Sequence, residues 1–233
     1  MFSPLEKKRY SEQVAQLIQE KILRDKLEKG ARLPTERKLA QEFQVSRTVI
    51  REAIRELEVS GLIKIKKGHT GGIFIADAYH KPLRNSLKNL VSSGKVTVDQ
   101  IFDVRLLIEP HIAMLAARRA KREDIERLQA LMKDSAQHQD DAAVLKQNNL
   151  TFHLLLGKAS GNPVLSMLIE SVIEILVEFS FDFLDLPFEQ HFFRVHNDIV
   201  QVIAQRKAEE AKRLIEQDVL EVKRKLEGFY GKS

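Results

Sequence analysis

Apolar residues in the first third of the chain recur at helical spacing and then change to strand-like runs. Val14, Leu17, Ile18 and Ile22 form one stripe, with Ser11 placed to cap a helix that should end near Gly30. A second helix is predicted after Leu33-Pro34, with Thr35 as N-cap and Leu39, Ala40 and Phe43 turned inward. Gln44-Val45 leaves room for only a tight turn. A third helix should then start at Ser46, bury Val49, Ile50, Ala53, Ile54 and Leu57, and end at Ser60-Gly61. Leu62 to Lys66 and Ile73 to Ala76 read as two short strands joined through Gly68, Gly71 and Gly72. Three helices followed by a two-stranded ribbon make a winged helix-turn-helix.

Beyond the ribbon the pattern is helical. Residues 77–95 read as a connection containing Pro82 and a Ser92-Ser93-Gly94 turn. Helical spacing then fills 98–119, 124–136, 142–158, 163–184, 188–205 and 208–227, with breaks at Asn162-Pro163 and Leu186-Pro187. The expected architecture is mainly α, with a reader at 1–76, a linker at 77–95 and an all-helical bundle at 96–233.

Charge sharpens this division. Residues 1–76 hold 16 Lys and Arg against 10 Asp and Glu, whereas the remainder holds 22 against 23. The positive excess is therefore confined to the N-terminal part, as expected of a module that meets a polyanion. The chain has no cysteine, which removes disulfides and thiolate sites. The N-terminus lacks the apolar centre of a secretory signal, and no long apolar run follows, so a soluble cytoplasmic protein without membrane contact is expected.

The third helix carries the chemistry that a DNA duplex requires. Arg47 and Arg51 are one turn apart and opposite Val49 and Ala53, so both point away from the domain. A guanidinium fork matches the two acceptors of guanine in the major groove. Ser46 and Thr48 lie at the helix N-terminus, where free backbone N–H groups also favour phosphate. The segments LPTER, VSRTVIREAIRELE and GLI resemble the DNA-binding domain of the GntR family of bacterial transcription regulators over residues 8–76. That resemblance implies Arg37, Arg47 and Arg51 as principal DNA contacts, with Ser46, Thr48, Gly68 and His69 beside them. The tip containing Gly71-Gly72 is longer than the wing usual in that family.

In the second half, IFDVRLLIEPHIAMLAARRA and FHLLLGKASGNPVL resemble the FadR-type branch, whose FCD-like helical domain binds an effector. Periodicity directs attention to the same place. Arg105 follows Ile101 by four residues and precedes Ile112 by seven, so it faces inward. Either an internal salt bridge, for example to Glu170 or Glu174, or the carboxylate of a bound acid would satisfy it. Asn149 and His153 form an i, i+4 pair on an apolar stripe, His196 aligns with Ile199 and Ile203, and Asp218 aligns with Leu214 and Val222.

Many relatives in that branch use an aspartate and three histidines as metal ligands. Here Asn149 stands where the aspartate is usual and Asp218 where the last histidine is usual, with His153 and His196 retained. The set still suits zinc, nickel or manganese, while a metal-free polar pocket is the alternative. No organic cofactor is expected. His111 and His191 are expected on helix surfaces.

The functional expectation is a homodimeric transcription regulator, a repressor as is most frequent in the family, that reads a palindromic operator. Its effector would be a small organic acid held by Arg105, Asn149, His153 and His196. A regulator that senses the metal itself is a second reading. A metal-dependent hydrolase is a third, disfavoured because no general base or substrate loop is evident.

Overall fold

A computed structural model describes residues 9–76, 78–179 and 185–230. The chain divides into two compact units between Pro82 and Leu83.

The first unit begins with α1 (Tyr10–Arg24), α2 (Glu36–Phe43) and α3 (Arg47–Val59), followed by β1 (Ile63–Lys66) and β2 (Gly72–Ile75). Helix α1 starts before Ser11, with Arg9 at the N-cap position, and stops six residues short of Gly30. Ser11 is buried within the first turn instead of capping it. The early stop comes from Lys26, which takes a left-handed conformation (φ 48°) while Leu27 N–H returns to Ile22 O at 3.0 Å. Thr35 and Ser46 do cap α2 and α3: each hydroxyl accepts a backbone N–H at 3.3 Å, from Lys38 and Val49 respectively. Between these helices Gln44 adopts the left-handed conformation (φ 54°), which makes the turn tight. The core joins Val14, Ile18 and Ile22 of α1 to Leu39 and to Ile50, Ile54 and Leu57 of α3.

The wing pairs Ile63 with Ile75 and Lys66 with Gly72 in an antiparallel ladder. A third segment, missed in the sequence, joins it by a bridge between Arg32 and Phe74. Leu33 N–H donates to Ile73 O and Ile75 N–H to Ala31 O, both at 2.8 Å. At the tip, Gly71 N–H donates to Gly68 O at 2.9 Å. A Cβ on Gly71 would meet Lys66 O at 2.5 Å, so the extra glycine there is a steric requirement of the turn.

Residues 77–95 are not an irregular connection, because α4 (His80–Ser92) occupies most of them. Pro82 falls in its first turn, where no intrahelical N–H is needed, and Leu83, Leu87 and Val91 share one face. The second unit continues with α5 (Val98–Arg119), α6 (Arg122–Gln137), α7 (Ala142–Ala159), α8 (Pro163–Phe179), α9 (Leu186–Ala204) and α10 (Ala208–Tyr230). The expected helix over 163–184 runs to 179, and residues 180–184 lie outside the described residues. Leu186-Pro187 opens α9, with Asp185 capping Phe188 N–H at 3.3 Å.

Helix α5 is central. Its Thr97 and Gln100 form a reciprocal capping box. Along its length it packs on α10, where Lys223 Nζ lies 2.6 Å from Asp99 and 2.8 Å from Asp103. Phe102, Ile112, Phe152, Leu156, Ile173, Ile199, Ile203 and Ile215 fill the bundle core.

Candidate nucleic-acid interface and buried polar site

In the first unit Arg37, Ser46, Arg47, Thr48, Arg51, Gly68 and His69 are all exposed. Arg47 approaches Glu36 at 3.8 Å with its side chain 68% exposed, a pairing too weak to withhold it from another anion. The contact draws together the first turns of α2 and α3, which carry Arg37 and Arg47. Ser46 Oγ accepts the Val49 N–H, which leaves its hydroxyl hydrogen available to an anion. Arg32 is the residue that sequence reasoning missed. Its guanidinium donates to Gly71 O at 2.7 Å and sits 5.9 Å from the centre of the Phe74 ring. It thereby fixes the glycine tip from below.

In the second unit the inward polar residues do converge. His153 of α7, His196 of α9 and Asp218 of α10 are each no more than 2% exposed, and one ligand atom from each lies within 4.8 Å of the others. His196 Nε2 is 3.2 Å and His153 Nε2 3.8 Å from the Asp218 carboxylate. Phe152 stacks on the His196 ring at 3.9 Å, and the two imidazoles stand at 89°.

Arg105 pairs with Glu109, one turn along its own helix, and not with Glu170 or Glu174. Glu174 instead meets Arg84 at 3.1 Å. Glu109 Oε2 also lies 2.6 Å from His153 Nδ1, while Arg105 Nη2 reaches His153 Nε2 at 3.3 Å. His153 Nδ1 and Glu109 Oε2, though close, make no hydrogen bond, and His153 Nε2 faces both Arg105 and Asp218.

Burial and charge oppose each other throughout this grouping. Burial pushes Glu109 upward, yet Arg105 and then His153 outweigh it and hold the carboxyl at about 2. Burial also opposes ionisation of Asp218, but His196, His153 and Arg105 bring its pKa below the ordinary range. Burial depresses His196 despite the pull of Asp218. The cluster thus buries one guanidinium, two carboxyl groups and two imidazoles together. His196 Nε2 and both Asp218 oxygens have no hydrogen-bond partner. Two imidazoles, one carboxylate and unsatisfied buried atoms suit a divalent cation of the zinc, nickel or manganese kind.

A cavity of about 60 Å³ adjoins this cluster, lined by Arg105, Asn149, His153, Phe188 and Glu189 among others. Asn149 lies on the cavity wall, where its Nδ2 donates to Glu189 Oε2 at 3.4 Å. Neither Glu109 nor Glu189 stood out in the sequence, although Glu109 follows Arg105 at the i+4 spacing that permits an ion pair. His111 is exposed and His191 pairs with Glu221 near the surface, as expected.

A winged-helix unit with exposed arginines on its third helix, in one chain with a helical bundle holding a cavity edged by buried charged groups, defines a DNA-binding regulator. Residues 10–75 match the family described as bacterial regulatory proteins, gntR family, and residues 100–220 match the FCD domain. The chain belongs to the GntR family of transcription regulators carrying an FCD domain; it binds DNA and is not an enzyme. It is 32% identical to the HTH-type transcriptional regulator LutR of Bacillus subtilis over 157 residues, covering 67% of this chain and 71% of the relative. It is 27% identical over 219 residues to the HTH-type transcriptional repressor NanR of an Enterobacter species, covering 91% and 84%. Among solved structures, a GntR protein of Streptococcus agalactiae superimposes with a TM-score of 0.68 at 27% identity, covering 92% of this chain and 99% of that one. No helix among the described residues is long and apolar enough to cross a membrane.

Proposed function

We propose that this chain is a homodimeric repressor whose two α3 helices read the halves of a palindromic operator, released or retained according to a small carboxylate bound in the helical domain. Arg47 and Arg51 take base edges, Arg37 the flanking duplex, and Ser46 and Thr48 the phosphates beside the helix N-terminus. Gly68 and His69 bring the wing close to the backbone. The repressor assignment draws on NanR, which is named a repressor.

The observation that carries the effector reading is the cavity wall shared by Arg105, Asn149 and His153, backed by His196 and Asp218. His153, His196 and Asp218 would hold a divalent ion, with Asn149 or water completing the set. A bound ion supplies positive charge that accepts a carboxylate oxygen. Arg105 orients the acid with the N–H groups that Glu109 leaves free, and the apolar walls exclude water. Coupling to DNA requires that the acid bind the two operator-affinity states unequally.

The test starts with selection of preferred duplexes from a random library by the full chain. Operator affinity is then measured by fluorescence anisotropy with and without zinc, nickel or manganese, and with small carboxylates. A carboxylate-dependent change of tenfold or more supports the reading. A change driven by metal alone favours a metal sensor. No preferred duplex under any condition refutes the regulator mechanism proposed.

A further inference from the structure

The cavity beside His153 is closed down in this structure. Its volume of about 60 Å³ equals the liquid share of roughly two waters, whereas sites for organic molecules span roughly 300 to 1,000 Å³. Admitting anything larger therefore requires a wall to give way.

Much of that wall is fixed. Phe102, Arg105, His153, Ile173, Leu176 and Glu189 are no more than 5% exposed, and in a close-packed interior such side chains have no room to turn. Phe188 differs in three respects. It is half-buried. It stands in the first turn of α9 with no complete helical turn before it, so more staggered positions are open to its ring than in mid-helix. It also lines a surface hollow of about 510 Å³, together with Pro187, His191, Glu221, Arg224 and Lys225. The ring is thus a partition shared by the inner cavity and the outer hollow.

The neighbours of the ring suit a turn outward. It meets Phe192 edge-on with centroids 4.6 Å apart, and Phe192, at 1% exposed, stays behind as a backstop. Lys225 Nζ already lies 5.8 Å from the ring centre. Rotation into the hollow loosens the contact with Phe192 and brings the ring toward Lys225 and Arg224, exposed cations that an aromatic face attracts.

We propose that Phe188 is the door of the bundle cavity: rotation of its side chain into the surface hollow opens the cavity to solvent and enlarges it, and rotation back seals it. The door serves whatever the cavity admits, so the proposal goes beyond the carboxylate reading and does not depend on it.

The chain has no cysteine, so an introduced thiol is the sole one present. Ile173→Cys places it on the cavity wall, and Ile203→Cys places it in the bundle core, equally buried and away from the cavity. Each full-length variant is treated with methyl methanethiosulfonate, without metal or acid, and disulfide formation is followed by mass spectrometry. With Phe188 in place, position 173 should react about tenfold or more faster than 203, because local opening costs less than unfolding. Adding Phe188→Ala should accelerate 173 by a further factor of about ten or more and leave 203 within about twofold. Lys146→Ala, which trims another half-buried wall residue, should leave 173 within about twofold. Should circular dichroism show that a thiol at 173 unfolds the domain, Leu176→Cys on the same wall replaces it. Equal rates at 173 and 203 with Phe188 present, no acceleration by Phe188→Ala, equal acceleration at both positions, or as large an effect from Lys146→Ala overturns the proposal.

Discussion

Glu109 lies one helical turn beyond Arg105 on α5, and its carboxylate bridges that guanidinium to His153, 2.6 Å from Nδ1. One side chain thus neutralises the buried arginine and lies against the imidazole. A divalent site that receives His153 Nε2 depends on it at one remove. Replacing Glu109 by alanine should destabilise the helical domain by about 3 to 5 kcal/mol, because the arginine stays buried without its partner. Urea denaturation measures this, and an unchanged midpoint would mean that solvent reaches Arg105.

The two buried glutamates should give opposite pH signatures. Glu109 is held at about 2, below its ordinary 4.5, so its contribution is present above pH 4.5 and lost as pH falls through 2. Glu189 is raised to about 7; its contribution is full below 4.5 and lost as pH rises through 7. Between pH 5 and 8 Glu189 therefore makes the urea midpoint decline with pH, against the opposite slope from His196, whose depressed pKa favours the folded state as pH rises; Glu189→Gln should remove the declining part and leave a midpoint that rises more with pH than the wild type's.

Arginine replacement on α3 should weaken operator binding without altering the fold. Arg47→Ala or Arg51→Ala removes an exposed side chain, so melting should hardly move, while specific affinity should fall by about 1 to 3 kcal/mol for a bidentate base contact. A phosphate contact behaves differently: the loss is similar on all sequences and the salt dependence becomes shallower. Anisotropy on selected and random duplexes at two salt concentrations separates the two roles.

Arg32→Ala tests the wing. It removes the donor to Gly71 O and the cation over Phe74, whereas the backbone bridge at position 32 remains. Operator affinity should fall severalfold with little change in stability. A Gly71→Ala substitution should cost more, because its Cβ meets backbone oxygen at 2.5 Å.

Divalent metal should raise the melting temperature of the wild type, and chelation should reverse the rise. His196→Ala should abolish the metal-dependent increment, since it removes one of three converging ligand atoms. An increment that persists in this variant would place the ion elsewhere.

The sequence by itself determined the class of the protein. Helical spacing at Ile50, Ile54 and Leu57, cap residues Thr35 and Ser46, and the glycine-bounded ribbon are local signals, because helices and hairpins are specified by neighbours within a few residues. The inward setting of Arg105, His153, His196 and Asp218 was legible for the same reason: each interrupts an apolar stripe of its own helix. Which of these meet was decided by packing. Arg105 has several acidic residues within plausible reach in sequence; the burial of its face of α5 leaves it with Glu109, one turn along the same helix, while the approach of α4 and α8 gives Glu174 to Arg84.

Glu189 was invisible because a glutamate in a first helical turn ordinarily complements the helix dipole in solvent. Tertiary structure buried it on a cavity wall beside Asn149. Arg32 likewise reads as one basic residue among many until its segment pairs with β2. Local periodicity fixes which way a side chain points along its own element; which partner it meets depends on contacts distant in sequence, and those exist only once the helices have packed.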